Sequence, residues 1–218
     1  MSQRFIIAGT DTEIGKTVFA AGLMLGLEAW GTKPHYWKPV QSGIEDGVDT
    51  RRVQKLTALP DERFLPERYI FSQSLSPHRA AELDKAKIDI ALLRDPSVIP
   101  SCDGPLLIEG AGGLMVPLSR ENLQVNLYKD WDIPVILCAR TGLGTINHTL
   151  LSLEALWARR MNVLGVAFIG PENADNITTI SEFSKARILG HLPWLERLEP
   201  QRLKEAFLQN FDQDDFIV

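Results

Sequence analysis

The chain has 218 residues, of which 44% are hydrophobic and 23% charged, the composition of an ordinary soluble globular protein that buries its core without disulfides or structural metal. Its net charge of -5 speaks against nucleic acid as a partner, because polyanion binders present a basic surface, and no apolar run reaches the length of a membrane span. Cys102 and Cys138 have neither metal-ligand spacing nor a disulfide framework, and Cys138 sits in an apolar run as a core residue.

The first predicted element is a strand, Phe5–Ala8, which leads through Gly9-Thr10-Asp11-Thr12-Glu13-Ile14-Gly15-Lys16-Thr17 into a helix over Gly15–Trp30. Strand, glycine-bounded loop and helix opening at Gly-Lys-Thr form a phosphate-binding loop. The backbone N–H groups at a helix start lack internal partners and point at one spot, where an anion satisfies them. Lys16 adds a fixed charge near the outer phosphates, and the Thr17 hydroxyl is a Mg²⁺ ligand. Glu13, Ile14, Gly15, Lys16, Thr17 and Val18 are therefore the candidate nucleotide cradle. The loop departs from the usual spacing: Thr10 to Ile14 separate its glycines, one residue more than the common four. A loop beginning within ten positions of Met1 leads us to expect no secretion signal and a cytoplasmic location.

Further strands are predicted over His35–Pro39, Pro105–Glu109, Pro134–Ala139, Val163–Ile169 and Ile188–Leu192. Further helices are predicted over Thr50–Leu59, Ile88–Arg94, Ile146–Arg160, Ile177–Lys185 and Pro200–Gln209. Leu106-Leu107-Ile108 and Val135-Ile136-Leu137 are apolar throughout, as in strands covered on both faces of a parallel sheet. The alternation implies a single α/β domain over residues 1–218, a mostly parallel doubly wound sheet flanked by helices. Residues 60–84 carry weak periodicity and several prolines and read as an irregular excursion. The tail at Gln213–Asp215 reads as frayed. Trp30 and Trp157 fall on helical apolar faces as core residues, and His35 and His191 read as structural.

Ligands of such sheets bind beyond the carboxyl ends of the strands. Four strand ends lead into the phosphate loop, Lys38-Pro39-Val40-Gln41-Ser42-Gly43, Glu109-Gly110-Ala111-Gly112-Gly113 and Thr141-Gly142-Leu143-Gly144-Thr145-Ile146-Asn147-His148. Lys38 at a strand end beside a phosphate site points to function rather than to a solvated lysine. Glu109, after apolar residues and before glycines, suits an acid that holds Mg²⁺ or its water better than a turn cap. Ser42 is a turn residue or a substrate partner. Asp49 is either the N-cap of the following helix or a metal ligand, with Asp46 a rival for the second role. These alternatives stay open on the residues alone. His78 and His148 lie beside the motifs.

Taken in order, the phosphate loop, Lys38 to Gly43, Ser76-Pro77-His78, Glu109 to Gly113, Gly144 to His148 and Pro193-Trp194-Leu195 resemble dethiobiotin synthetase over nearly the whole chain. The resemblance implies ATP- and Mg²⁺-dependent joining of CO₂ to 7,8-diaminononanoate (7,8-diaminopelargonate). An amine captures CO₂ as a carbamate, the carbamate attacks the γ-phosphate to give a carbamic-phosphoric anhydride, and the second amine closes a ureido ring. It further implies that Lys16 and Lys38 flank the transferring phosphoryl group. Thr12 and Ser42 bond the carbamate. Thr17, Asp49 and Glu109 hold Mg²⁺. Nucleotide contacts extend to Gly110, Ala111, Gly112, Pro193, Trp194 and Leu195. The implied homodimer brings Gly144, Thr145 and Asn147 to the substrate carboxylate across the interface.

A rival reading is a switch ATPase of the partition or iron–sulfur reductase type in the same superfamily. Those typically carry a second lysine early in the loop, and this chain has none between Met1 and Lys16. One departure from the family stands out. The strand matching Val163–Ile169 ends in Ile169-Gly170, where the family has an Asn-Asp pair whose asparagine reads adenine. Asn173 lies a few residues on and substitutes only if the loop folds back.

Overall fold

A computed structural model describes residues 3–45 and 47–217. In chain order the elements are β1 (Arg4–Gly9), α1 (Lys16–Ala29), β2 (His35–Trp37), β3 (Val40–Ser42), α2 (Asp49–Thr57), β4 (Phe64–Leu65), β5 (Tyr69–Phe71) and α3 (Pro77–Leu83). They continue with α4 (Ile90–Arg94), β6 (Leu106–Glu109), α5 (Gln124–Trp131), β7 (Val135–Arg140), α6 (Thr145–Trp157), β8 (Val163–Ile169), α7 (Ala174–Ser184), β9 (Ile188–Leu192) and α8 (Pro200–Asn210). Seven strands form one sheet in the order β4-β2-β6-β1-β7-β8-β9. Every pairing in it is parallel. A parallel sheet needs crossovers that cover both faces, which explains why β1, β6 and β7 are apolar throughout.

The two layers divide the core by side-chain parity. Ile6, Leu106, Ile108, Val135 and Leu137 face Val125, Leu153 and Ile180 on one side. Phe5, Ile7, Leu107, Ile136 and Cys138 face α1 and α8 on the other, through Phe19, Leu23, Leu27, Leu203 and Phe207. The α1–α8 contact is close, because a side chain at Gly22 or Gly26 would meet the Phe207 ring at 2.8 or 2.7 Å.

Several expectations are corrected. Residues 60–84 are not irregular: β4 adds an edge strand, β5 pairs with β3 as a separate ribbon, and α3 starts at Pro77. Helix α5 was not expected, since its apolar positions Val125, Leu127, Tyr128 and Trp131 are interrupted by polar ones. The tail is not frayed at Gln213–Asp215, because a short 3₁₀ turn there seats Phe216 fully inside the core, where Trp30 stacks on it. Trp157 is surface-exposed rather than core. His35, read as structural, is buried, with its Nε2 3.5 Å from Asp103. Among the described residues, no helix is long and apolar enough to cross a membrane.

Candidate active site

The adjacent strands β2, β6 and β1 deliver their carboxyl ends to one cleft of about 830 Å³. Thr12, Lys16, Thr17, Lys38, Ser42, Asp49 and Glu109 all line it. The phosphate loop turns into α1 at Gly15, whose φ of 97° suits glycine. Space excludes a side chain there as well: a Cβ on Gly15 would lie 2.7 Å from Ile169 Cγ2. Ile14 is buried beneath the loop, so any nucleotide contact from it is through its backbone. Glu13 and Val18 line the cleft mouth. Lys16 is buried, and its Nζ donates to the Asp11 carbonyl at 2.8 Å. Burial lowers its pKa, an effect that the negative charge of Glu109 partly opposes.

At the cleft floor lies a compact charged cluster. Lys38 Nζ sits 2.7 Å from Asp49 Oδ2 and 3.0 Å from Glu109 Oε1. The Thr17 hydroxyl donates to the same Glu109 oxygen at 3.0 Å and to Asp49 Oδ1 at 3.3 Å. Glu109 is 1% exposed and Lys38 4%. Burial alone would lower the pKa of Lys38, but Glu109 and Asp49 outweigh it and raise the pKa. Burial likewise pushes the Asp49 carboxyl up, yet the Lys38 ammonium and its hydrogen bond hold it below the usual range. Asp49 is the first residue of α2, with Val48 as the N-cap. Its side chain therefore turns to Lys38 and Thr17 instead of capping the helix. Asp46, its rival, lies outside the described residues.

The donor set around Thr17 consists of a hydroxyl and two carboxylates. Hard oxygen ligands of this kind suit Mg²⁺. Ser42 presents a buried hydroxyl with no hydrogen-bond partner among the described residues. Thr12 Oγ1 faces Gly112, whose Cβ would come within 3.1 Å of it. The Glu109–Gly113 loop is folded by Gln124, which accepts from Ala111 N at 2.8 Å and donates to Ala111 O at 2.9 Å. Gly110 is needed there, since a Cβ would collide with the Tyr128 hydroxyl at 1.7 Å.

Other expected residues are not brought to this cluster. Thr145 is fully buried, its hydroxyl donating to the Arg140 carbonyl and its N–H to Gly142 at 3.1 Å, so its side chain faces its own loop. Gly144 and Asn147 are exposed and do not line the cleft. Pro193, Trp194 and Leu195 follow β9 on the far side of Ile169, with Trp194 75% exposed. Asn173 does not fold back toward a base: it caps α7 through Asn176 N at 3.1 Å and donates to Thr141 O at 3.2 Å. His78 pairs with Ser76 at 3.0 Å and His191 with the Gly170 carbonyl at 2.8 Å.

Sequence reasoning missed four supporting side chains. Tyr36 donates to Glu109 Oε2 at 2.9 Å. Gln41 accepts from Asp49 N at 3.2 Å and donates to the Gly43 carbonyl at 3.0 Å, joining the Ser42 loop to α2. Gln124 and Tyr128 lie on the unexpected α5. Tyr36 had a signal in standing two residues before Lys38, and Gln41 had one in lying within the Lys38–Gly43 stretch.

Residues 3–202 match the family model described as an AAA domain. The chain is 52% identical over 217 residues to the ATP-dependent dethiobiotin synthetase BioD of Rhodopseudomonas palustris (strain TIE-1), covering 100% of this chain and 98% of the relative. The enzyme of the same name from Agrobacterium fabrum (strain C58 / ATCC 33970) is also 52% identical, with the same coverage of 100% and 98%. Among solved structures, the septum site-determining protein MinD from Pyrococcus horikoshii superposes with a TM-score of 0.61 at 12% identity, over 96% of both chains. A ParA family ATPase from Chlorobium tepidum gives 0.58 at 10%, over 95% of this chain and 88% of its own. At such identities the last two establish the P-loop fold alone.

Proposed function

The chain belongs to the ATP-dependent dethiobiotin synthetase family of P-loop ligases, and on that premise we propose that it converts 7,8-diaminononanoate, CO₂ and ATP to dethiobiotin, ADP and phosphate. The observation that carries the chemistry is the buried Lys38 ammonium held beside Thr17, Asp49 and Glu109 at the end of the phosphate loop. One substrate amine attacks CO₂, forming a C–N bond and losing a proton to give a carbamate. The carbamate oxygen attacks the γ-phosphorus as the bond to ADP breaks. The second amine then attacks the carbamoyl carbon, closing the ring and expelling phosphate.

Bringing an anionic carbamate to an anionic triphosphate requires fixed positive charge, preorganised in a site that excludes water. Lys16 and Lys38, which both line the cleft, would supply it. Thr12 and Ser42 orient the carbamate, and the unpartnered Ser42 hydroxyl supports that role. Thr17, Asp49 and Glu109 would hold Mg²⁺, which when bound neutralises phosphate charge and orients the γ-phosphoryl group. Nucleotide contacts come from the N–H groups of Glu13 to Val18, from Glu109 to Gly112, and from Pro193 to Leu195.

A homodimer completes the site. Leu143 is 99% exposed, and Met115 and Leu151 are exposed along a groove that runs to Thr10–Thr12. An apolar surface of this kind favours burial against a second copy. The start of α6 at Gly144 and Asn147 would then offer N–H groups to the substrate carboxylate of the partner's site. We read residues 1–218 as one catalytic domain working in the cytoplasm, without nucleic-acid or membrane partners.

The test is ADP release by the purified enzyme with MgATP. Release that requires diaminononanoate and bicarbonate together supports the synthetase. Equal release without them supports a switch ATPase and removes the proposal.

A further inference from the structure

We propose that Tyr36 is a positioning residue of the phosphoryl-transfer site, fixing which oxygen of Glu109 faces the cleft; the inference rests on the function proposed above. In the parallel register Tyr36 pairs with Leu107. Two residues beyond Leu107 on β6 comes Glu109, and Lys38 follows the end of β2. Side chains alternate along a strand, so Leu107 and Glu109 share the sheet face that carries α1 with Tyr36, and Lys38 reaches the same carboxylate from just past β2. The Tyr36 ring is fully buried there, and its hydroxyl donates to Glu109 Oε2 at 2.9 Å.

The consequence is a division of labour within one carboxylate. Oε2 is tied to the protein interior by Tyr36. Oε1 alone meets Thr17 and Lys38, each at 3.0 Å. The terminal torsion of a glutamate is broad and only weakly preferred. Without the phenol, the carboxylate is free to turn and offer either oxygen, or both, to a cation. A tyrosine that merely fills the core would also find a hydrogen-bond partner. Such a tyrosine would affect stability alone, and this difference makes the role testable.

The experiment compares wild type, Tyr36→Phe, Glu109→Gln and the double variant. The readouts are Mn²⁺ affinity of the enzyme–ADP complex by electron paramagnetic resonance, metal-free ADP affinity, melting temperature and kcat. Removing a side chain that orients a metal ligand typically weakens metal binding or activity by about 10- to 100-fold. We expect a loss of that order in Mn²⁺ affinity and kcat for Tyr36→Phe, with metal-free ADP affinity unchanged. We expect no further loss when Tyr36→Phe is added to Glu109→Gln, because the two act as a unit. Wild-type Mn²⁺ affinity in folded Tyr36→Phe, or fully additive losses in the double variant, would overturn the proposal. If Tyr36→Phe does not fold, 4-fluorophenylalanine at position 36 fills the space of the hydroxyl but cannot donate to Glu109. A loss of Mn²⁺ affinity of about 10- to 100-fold then supports the role, and wild-type affinity refutes it. Wild-type enzyme that forms no ureido product would sink the proposed function, while the Mn²⁺ measurements would still decide Tyr36.

Discussion

Replacing Lys38 by alanine tests its electrostatic role and its proposed catalytic role separately. Its ammonium lies 2.7 Å from Asp49 and 3.0 Å from Glu109. Removing one partner of a buried ion pair leaves uncompensated charge and costs about 3–5 kcal/mol. Here the lower end applies, because Tyr36 and Thr17 still donate to Glu109 and the Asp49 side chain is 25% exposed. About 3 kcal/mol corresponds to a fall in melting temperature of roughly 6–12 °C for a chain of this size. Mg²⁺ added without nucleotide should return part of that loss, since a bound cation replaces the missing charge between the carboxylates. The wild type, whose own lysine fills that place, should gain less. Turnover should fall by about 100-fold or more, the usual effect of removing a group that stabilises developing charge. Nucleotide affinity should change far less, because the phosphate loop is intact. Calorimetry with and without Mg²⁺, ADP titration and steady-state kinetics measure these quantities together. Unchanged turnover would remove Lys38 from the site, and Mg²⁺ stabilising both forms equally would refute the shared-carboxylate argument.

Lys16→Gln should lower turnover by about 100-fold or more while the melting transition stays near wild type; near-normal rates in the folded variant would contradict the loop assignment. Gly15→Ala should destabilise the loop, because the new Cβ meets Ile169 at 2.7 Å in a left-handed backbone, and ADP titration should show weakened binding; wild-type affinity would show that the loop can shift at no cost. Base selection should be relaxed, since Ile169 packs under Gly15 and Asn173 is committed to its cap. One missing bidentate contact corresponds to about 1–3 kcal/mol of discrimination, so ATP, GTP and CTP should differ little in kcat/KM. A strong ATP preference that survives Asn173→Ala would mean that another group reads the base. Leu143→Asp should shift the protein toward monomers in sedimentation and weaken diaminononanoate binding while sparing ADP binding; a fully active monomer would exclude a shared site.

The parallel core was legible because uninterrupted apolar runs such as Leu106–Ile108 have few other uses in a chain of this length. The cleft was legible for a related reason: strand ends converge, and charged residues after apolar runs stand out. Residues 60–84 were not legible. Strands of two or three residues carry too little periodicity to read, and Pro39, which has no N–H to give a ladder, separates β2 from the β3–β5 ribbon. Asp49 shows where local rules fail. Its position suited an N-cap, but the buried ammonium 2.7 Å away decides its orientation, and no local window contains that partner. Gln124 likewise serves a loop thirteen residues away in sequence, beyond the reach of spacing arguments.

Synthetase activity is tested most directly by incubating the enzyme with diaminononanoate, ¹⁴C-bicarbonate and MgATP, followed by acid treatment and chromatography. Acid expels CO₂ from a carbamate but not from a ureido ring. Acid-stable label in a single product, formed one for one with ADP and absent when any component is withheld, is the predicted result. ADP formed without acid-stable label would contradict the account.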